Sequence, residues 1–141
     1  MLKKFFKKKE DKSPNNKNVL ISALLIHAAK IDENYTEKEK KIIKKVIMDL
    51  NKTDFNEADK LLKLAEKKEE ESNQIIEFTK EIKKYPVDFK LKIVEIIWKI
   101  VYSDGASDDY ESNLIRRICG LLYISDKDNG IIKTKVQNLR R

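Results

Sequence analysis

Residues 19–47, VLISALLIHAAKIDENYTEKEKKIIKKVI, and residues 91–119, LKIVEIIWKIVYSDGASDDYESNLIRRIC, carry one pattern at a spacing of 72 residues. In each, an apolar run of helix length leads into an acidic turn that opens with Asp. A second segment with apolar residues at helical spacing follows. Asp32 is matched by Asp104, Glu39 by Glu111, Ile43 by Ile115, and Leu25, Ile42 and Val46 by Ile97, Leu114 and Ile118. Each helix–acidic turn–helix unit has an apolar face to cover, and its twin is the natural cover. The repeat therefore predicts a pseudo-symmetric helical domain.

The rest of the chain agrees with an all-α fold. Only 3 Gly and 2 Pro among 141 residues leave too few turn formers for a sandwich or barrel. A charged fraction of 39 % rich in Lys and Glu suits helices. No segment alternates with period two, so no sheet is expected. A compact bundle of about seven helices follows from the periodicity. The first, about 18–31, is apolar nearly all round and belongs at the centre. Thr36 with Glu39 three residues on forms a capping box for a second helix to about Leu50. Asn56 or Thr53 caps a third with Ala58, Leu61, Leu62, Leu64 and Ala65 as its stripe. Glu69–Glu71 break the pattern before a fourth helix, about 73–84. Pro86 opens a fifth, about 87–103, with Phe89 and Trp98 in the core. Ser107 or Asp108 caps a sixth to about Tyr123, and a last helix runs from Ser125 or Asp126 to about Leu139.

Residues 1–17 read as a flexible basic tail and 18–141 as the domain. The first 12 residues hold six lysines against Glu10 and Asp11, which is +4 of the chain's +7. The body is only mildly basic, and no specific nucleic-acid partner is expected. Lys3, Lys4, Phe5, Phe6, Lys7, Lys8 and Lys9 mix cations with aromatics, which suits an anionic membrane surface; a solvated terminus is the alternative. The run Val19–Ala29 is too short to span a bilayer, and its twin cannot be a signal peptide. The lone Cys119 cannot form an internal disulfide, which points to a reducing, cytoplasmic setting with peripheral contact at the inner membrane face through the tail. Cys119 itself reads as a small core residue, and Gly120, inside a helix, as a site of close packing. His27 reads as a half-buried or surface residue, since one His gives poor support for zinc.

The acidic turns are the candidate site. Hard cations of the Ca²⁺ or Mg²⁺ class take several oxygen ligands. Asp32 and Glu39 in the first turn and Asp104 and Glu111 in the second supply matched carboxylates, with Glu33, Glu37, Asp108 and Asp109 as additional donors. The spacing is not that of an EF-hand, whose loop needs Gly at its sixth position and Glu at its twelfth. Those positions are Glu37 and Ile43 counted from Asp32, and Asp109 and Ile115 counted from Asp104. Helix capping is the competing account of Thr36, Glu39, Asp108 and Glu111. It leaves Asp32 and Asp104 unexplained, because both fall near helix C-termini, where the dipole disfavours an anion.

The segments Leu25–Asp32 followed by Thr36–Glu39, and Ile97–Gly105 followed by Asp108–Glu111, resemble the TerB family, whose signature is an "ADG…E" turn after an apolar helix. Here the second turn reads SDG…E and the first IDE…E, departing at Glu33. Related domains form the N-terminal part of DjlA-type J-domain co-chaperones. The resemblance covers about residues 18–140. It implies an all-helical, non-enzymatic domain, an acid-based metal site at Asp32, Glu39, Asp104 and Glu111, and a stress or tellurite-resistance setting. No His-Pro-Asp tripeptide occurs, so no J-domain is expected. The expected function is a module that binds a divalent cation and a protein partner. The alternative is a co-chaperone-type interaction domain whose carboxylates only cap helices. No phosphate loop, dinucleotide fingerprint or nucleophile elbow is present.

Overall fold

The structure, a computed structural model, describes residues 16–31, 35–103 and 109–139. They form seven helices: α1 (Asn16–Ala29), α2 (Glu37–Asn51), α3 (Phe55–Glu71), α4 (Ile76–Ile82), α5 (Val87–Tyr102), α6 (Asp109–Leu121) and α7 (Asp126–Leu139). No strand occurs among the described residues.

The repeat extends further than the paired turns. Shifting α1, α2 and α3 by 72 residues lands on α5, α6 and α7 to within a residue or two at most helix ends. Each half is thus a three-helix unit, and α4 joins them. The packing repeats as well: α1 lies on α2 and α3, α5 lies on α6 and α7, and α1 meets α5 between the halves. The cross-contacts are reciprocal, α2 to α5 and α1 to α6. α4 packs on α1 and α6, closing the bundle where the symmetry has no partner for it.

The core follows the matched apolar positions. Ile21 and Ile93, Leu25 and Ile97, Ile26 and Trp98, Ile43 and Ile115, and Ile47 and Cys119 are all buried. A buried side chain of this size contributes roughly 1.5–3 kcal/mol, so the matched set supplies most of what holds the halves together. α1 buries every residue from Ile21 to Ile26, as an apolar central helix must.

Several local expectations are corrected. Helix α3 is capped by Asp54, not by Thr53 or Asn56. Asp54 is extended and its Oδ1 accepts from the Glu57 amide at 2.9 Å. The Thr53 hydroxyl is buried without a hydrogen-bond partner. α3 runs through Glu69 to Glu71 rather than breaking there, and Leu64 lies exposed because Ala58, Leu62 and Ala65 already define the inward stripe. α4 is shorter than expected. Its entry is tightened by i→i+3 bonds such as Phe78 N–H to Ile75 C=O, 2.9 Å. Gly120 is exposed with nothing close to its missing side chain, so it serves no close packing. The caps proposed for α6, Ser107 and Asp108, lie outside the described residues.

Candidate functional site

The first turn delivers its chain into α2 through the expected capping box. Thr36 is extended. Its hydroxyl accepts from the Glu39 amide at 3.1 Å, and Glu39 Oε1 accepts from the Thr36 amide at 2.8 Å. This pulls the Glu39 carboxylate inward to 2 % exposure. Its twin Glu111, in the first turn of α6, is also buried. Carboxylates are rarely buried without compensation, so burial of both members of the pair is the most unusual feature of the site. Glu37 behaves differently. Its side chain is exposed and pairs with Lys40 at 3.6 Å.

Tyr35, just before the cap, donates its hydroxyl to Glu66 Oε2 of α3 at 2.8 Å. Burial pushes the Tyr35 pKa well up. The hydrogen bond to Glu66 and its charge add to this, followed by the charges of Glu39 and Glu37. The phenol is therefore a fixed donor in a region of negative potential, relieved on one side by Lys40, whose ammonium lies 4.9 Å from the ring centre.

A contact joins the two turns. Lys38 of α2 donates its ammonium to the carbonyl of Ser103 at 3.2 Å, and Ser103 directly precedes Asp104. The start of α2 thus sits at the end of α5, as the reciprocal packing requires. Asp32, Glu33, Asp104 and Asp108 lie outside the described residues, and Asp109 is the first residue of α6. Among the described residues no three Asp, Glu, His or Cys side chains converge as metal ligands.

The chemistry of the donors decides which ion would fit. The turns offer oxygen only. His27 is engaged elsewhere, its Nδ1 3.1 Å from Glu69 Oε2. Cys119 is buried, and burial, helped by the charge of Asp126, pushes its thiol up to about 12. Carboxylate and carbonyl oxygens fit Ca²⁺ or Mg²⁺ and do not fit zinc.

The profile of a known family, "Tellurite resistance protein TerB", matches residues 18–134. The chain belongs to the TerB family. Searches of curated proteins and of solved structures return no match. Within this TerB domain, sequence reasoning placed Thr36 and Glu39 correctly but missed Tyr35, Glu66, Lys38 and Glu69. Their partners are contributed by other helices, so local spacing carries no sign of them. The nearest hint is His27 and Lys30, three residues apart on one face of α1, which both reach Glu69, Lys30 at 2.8 Å. Among the described residues no helix is long and apolar enough to cross a membrane.

Proposed function

We propose that this TerB domain is a non-enzymatic module that binds one divalent cation of the Ca²⁺ or Mg²⁺ class between its acidic turns and, with it, a protein partner. The observation that carries the reading is the burial of Glu39 and Glu111 at equivalent positions, each below an Asp-led turn. Asp32 and Asp104 would hold the ion with Glu39 and Glu111, and the additional acids of the turns would complete its shell. The ion would offset the repulsion among these carboxylates. Removing it would loosen the turns before the core.

The partner surface we assign lies beside the turns. An open groove of about 380 Å³ runs between α2, α5 and α7, with Ile42, Val136 and Leu139 as its apolar lining and Lys38 and Lys99 at its edge. It suits a segment carrying apolar side chains and a carboxylate. Ser103 belongs to this groove and precedes Asp104, so ordering of the second turn by a cation would be felt there. A cytoplasmic setting and a role in a stress or tellurite response are part of the same proposal.

The test is thermal melting of the metal-stripped protein with Ca²⁺, Mg²⁺ or Mn²⁺. A cation at about 100 times its Kd adds about 2.7 kcal/mol, a rise on the order of 10 °C for a domain of this size. The rise should vanish in Asp32→Ala/Asp104→Ala. A second reading rests on the capping box itself: Glu39 has a structural task at Thr36, and carboxylates that only cap helices would leave a metal-free interaction domain. Absence of any cation-dependent rise selects that reading.

A further inference from the structure

A second surface lies away from the acidic turns, where α1 and α5 begin and α3 and α6 finish. An open depression of about 510 Å³ is lined there by Lys17, Lys68 and Lys80 with Leu20, Glu77 and Glu81. The Lys17 ammonium lies 5.9 Å from the centre of the Tyr85 ring. Just before Tyr85 come Lys83 and Lys84, both exposed. Beyond them stands Tyr123, 73 % exposed, with the ammonium groups of Lys83 and Lys90 each 5.8 Å from its ring centre. Val87, after Pro86, is also exposed.

Two details separate this end from an ordinary solvated lysine face. Tyr123 has a left-handed backbone, φ 63°, which is uncommon for a bulky residue. That conformation carries its ring outward over the lysines. Its twin, Asn51, turns inward and accepts from Asn18 at 3.0 Å. The acids of the patch are also partly spent: Glu81 faces Lys84 at 3.4 Å, and Glu77 accepts from the Ser72 hydroxyl at 3.1 Å. Asp88 is the remaining exposed acid nearby. Lys80 forms no ion pair among the described residues. Ammonium groups on long stems beside an outward tyrosine and an exposed aliphatic residue match the headgroup layer of an anionic bilayer. There the cations meet phosphate and carboxylate, while the ring and Val87 enter the interface. The basic segment Lys3–Lys9 is tethered to this end by sequence, since α1 starts at Asn16.

We propose that this lysine–aromatic end of the folded domain docks on an anionic lipid surface, with Lys83, Lys84 and Tyr123 as its centre. The proposal is independent of the cation reading. Sedimentation of the full chain with vesicles of equal parts phosphatidylcholine and phosphatidylserine tests it. Binding is expected to these vesicles and not to pure phosphatidylcholine. Lys83→Glu/Lys84→Glu should weaken it about tenfold or more. Lys41→Glu/Lys45→Glu, an equal charge change on the exposed side of α2, should leave it nearly unchanged. Tyr123→Ser, on an exposed side chain, should weaken binding several-fold without unfolding the domain and so guards against a misfolded charge variant. Equal losses in the two lysine pairs would reduce the effect to net charge and overturn the proposal. So would loss on substituting only the tail lysines, or binding of the wild type to RNA in place of vesicles.

Discussion

The two halves of this TerB domain share a backbone plan and fasten it with different chemistry. In the first half the end of α1 is tied to α3 by charge: His27 and Lys30 both grip Glu69, at 3.1 and 2.8 Å. In the second half α5 is tied to α7 mainly by neutral and aromatic groups. Trp98 donates to Asn129 at 2.9 Å, the Gln137 amide donates to the Tyr102 hydroxyl at 2.6 Å, and the two rings stack 5.6 Å apart. The bulk has moved too. α3 contributes buried Ala58, Leu62 and Ala65, whereas α7 buries only Val136. Trp98, where the first half has Ile26, fills the difference from the α5 side. What both halves keep is the apolar ladder on α1 and α5 and the buried Glu39 and Glu111. A helix-packing scaffold thus tolerates exchange of its outer fasteners, and the features it retains are those of the core and the candidate site.

The largest expected effect tests where the bulk resides. Trp98→Ala should cost about 3–5 kcal/mol, measured by denaturant unfolding. Ile26→Ala at the twin position should cost less, about 2–4 kcal/mol. The reverse order would mean that α3, not α1, organises the first half and that the two halves are less alike than their helices suggest.

Next comes the ionic fastener. Glu69→Gln should cost about 1–2 kcal/mol, because it weakens two charge-assisted bonds at a carboxylate that is largely shielded. The cost should shrink in high salt. Tyr102→Phe, which removes the α5–α7 bond to Gln137, should cost about 1 kcal/mol or less with little salt dependence. Equal salt dependence in the two variants would erase the distinction between a charged and a neutral half.

The second half does carry one ionic link. Glu95 receives Lys99 and Lys135 at 3.2 Å each. Burial alone would raise its pKa, but the hydrogen bonds from Lys135 and Lys99 outweigh it and hold the carboxyl below its usual value of 4.5. A folded pKa below the unfolded one stabilises the protein above the unfolded value. That contribution is lost as pH falls through the folded value. Stability measured from pH 6 down to pH 3 should therefore fall less steeply in Glu95→Gln than in the parent, by about 1 kcal/mol or less. A parallel fall would remove Glu95 from the account of α5–α7 docking.

The sequence displays the first two helices of each half because their twins share chemistry: Leu25 with Ile97, Ile43 with Ile115, Glu39 with Glu111. It hides the third. Ala58 corresponds to Gly130, Leu62 to Thr134 and Ala65 to Gln137, so α3 and α7 look unrelated although they occupy equivalent places. The reason is the transfer of volume to Trp98 and Tyr102. Similarly, Glu69 reads as one of three acids ending a helix. Only the approach of α1 makes it a shared acceptor. At the candidate site, the capping box is local and so was legible. The Lys38 link to Ser103 joins residues 65 apart and depends on the reciprocal packing of the halves.

The smallest effects follow from the same hidden pair. Gly130 lies within α7, has open space where a side chain would stand and needs no left-handed backbone. Its twin Ala58 is fully buried in α3. The glycine therefore reflects a helix that packs less deeply, not a close approach. Gly120, near the end of α6, has the same open surroundings. Gly→Ala at a helical position removes unfolded-state freedom and favours the helix. Each substitution should stabilise by about 0.5–1 kcal/mol, with Gly130→Ala the larger because it is further from a helix end. The two sites lie on different helices, so the double variant should show the sum. Stabilisation confined to Gly120→Ala would show that α7 packs more tightly than its exposure suggests. The shallow third helix of the second half would then have to be redrawn as a closer copy of α3.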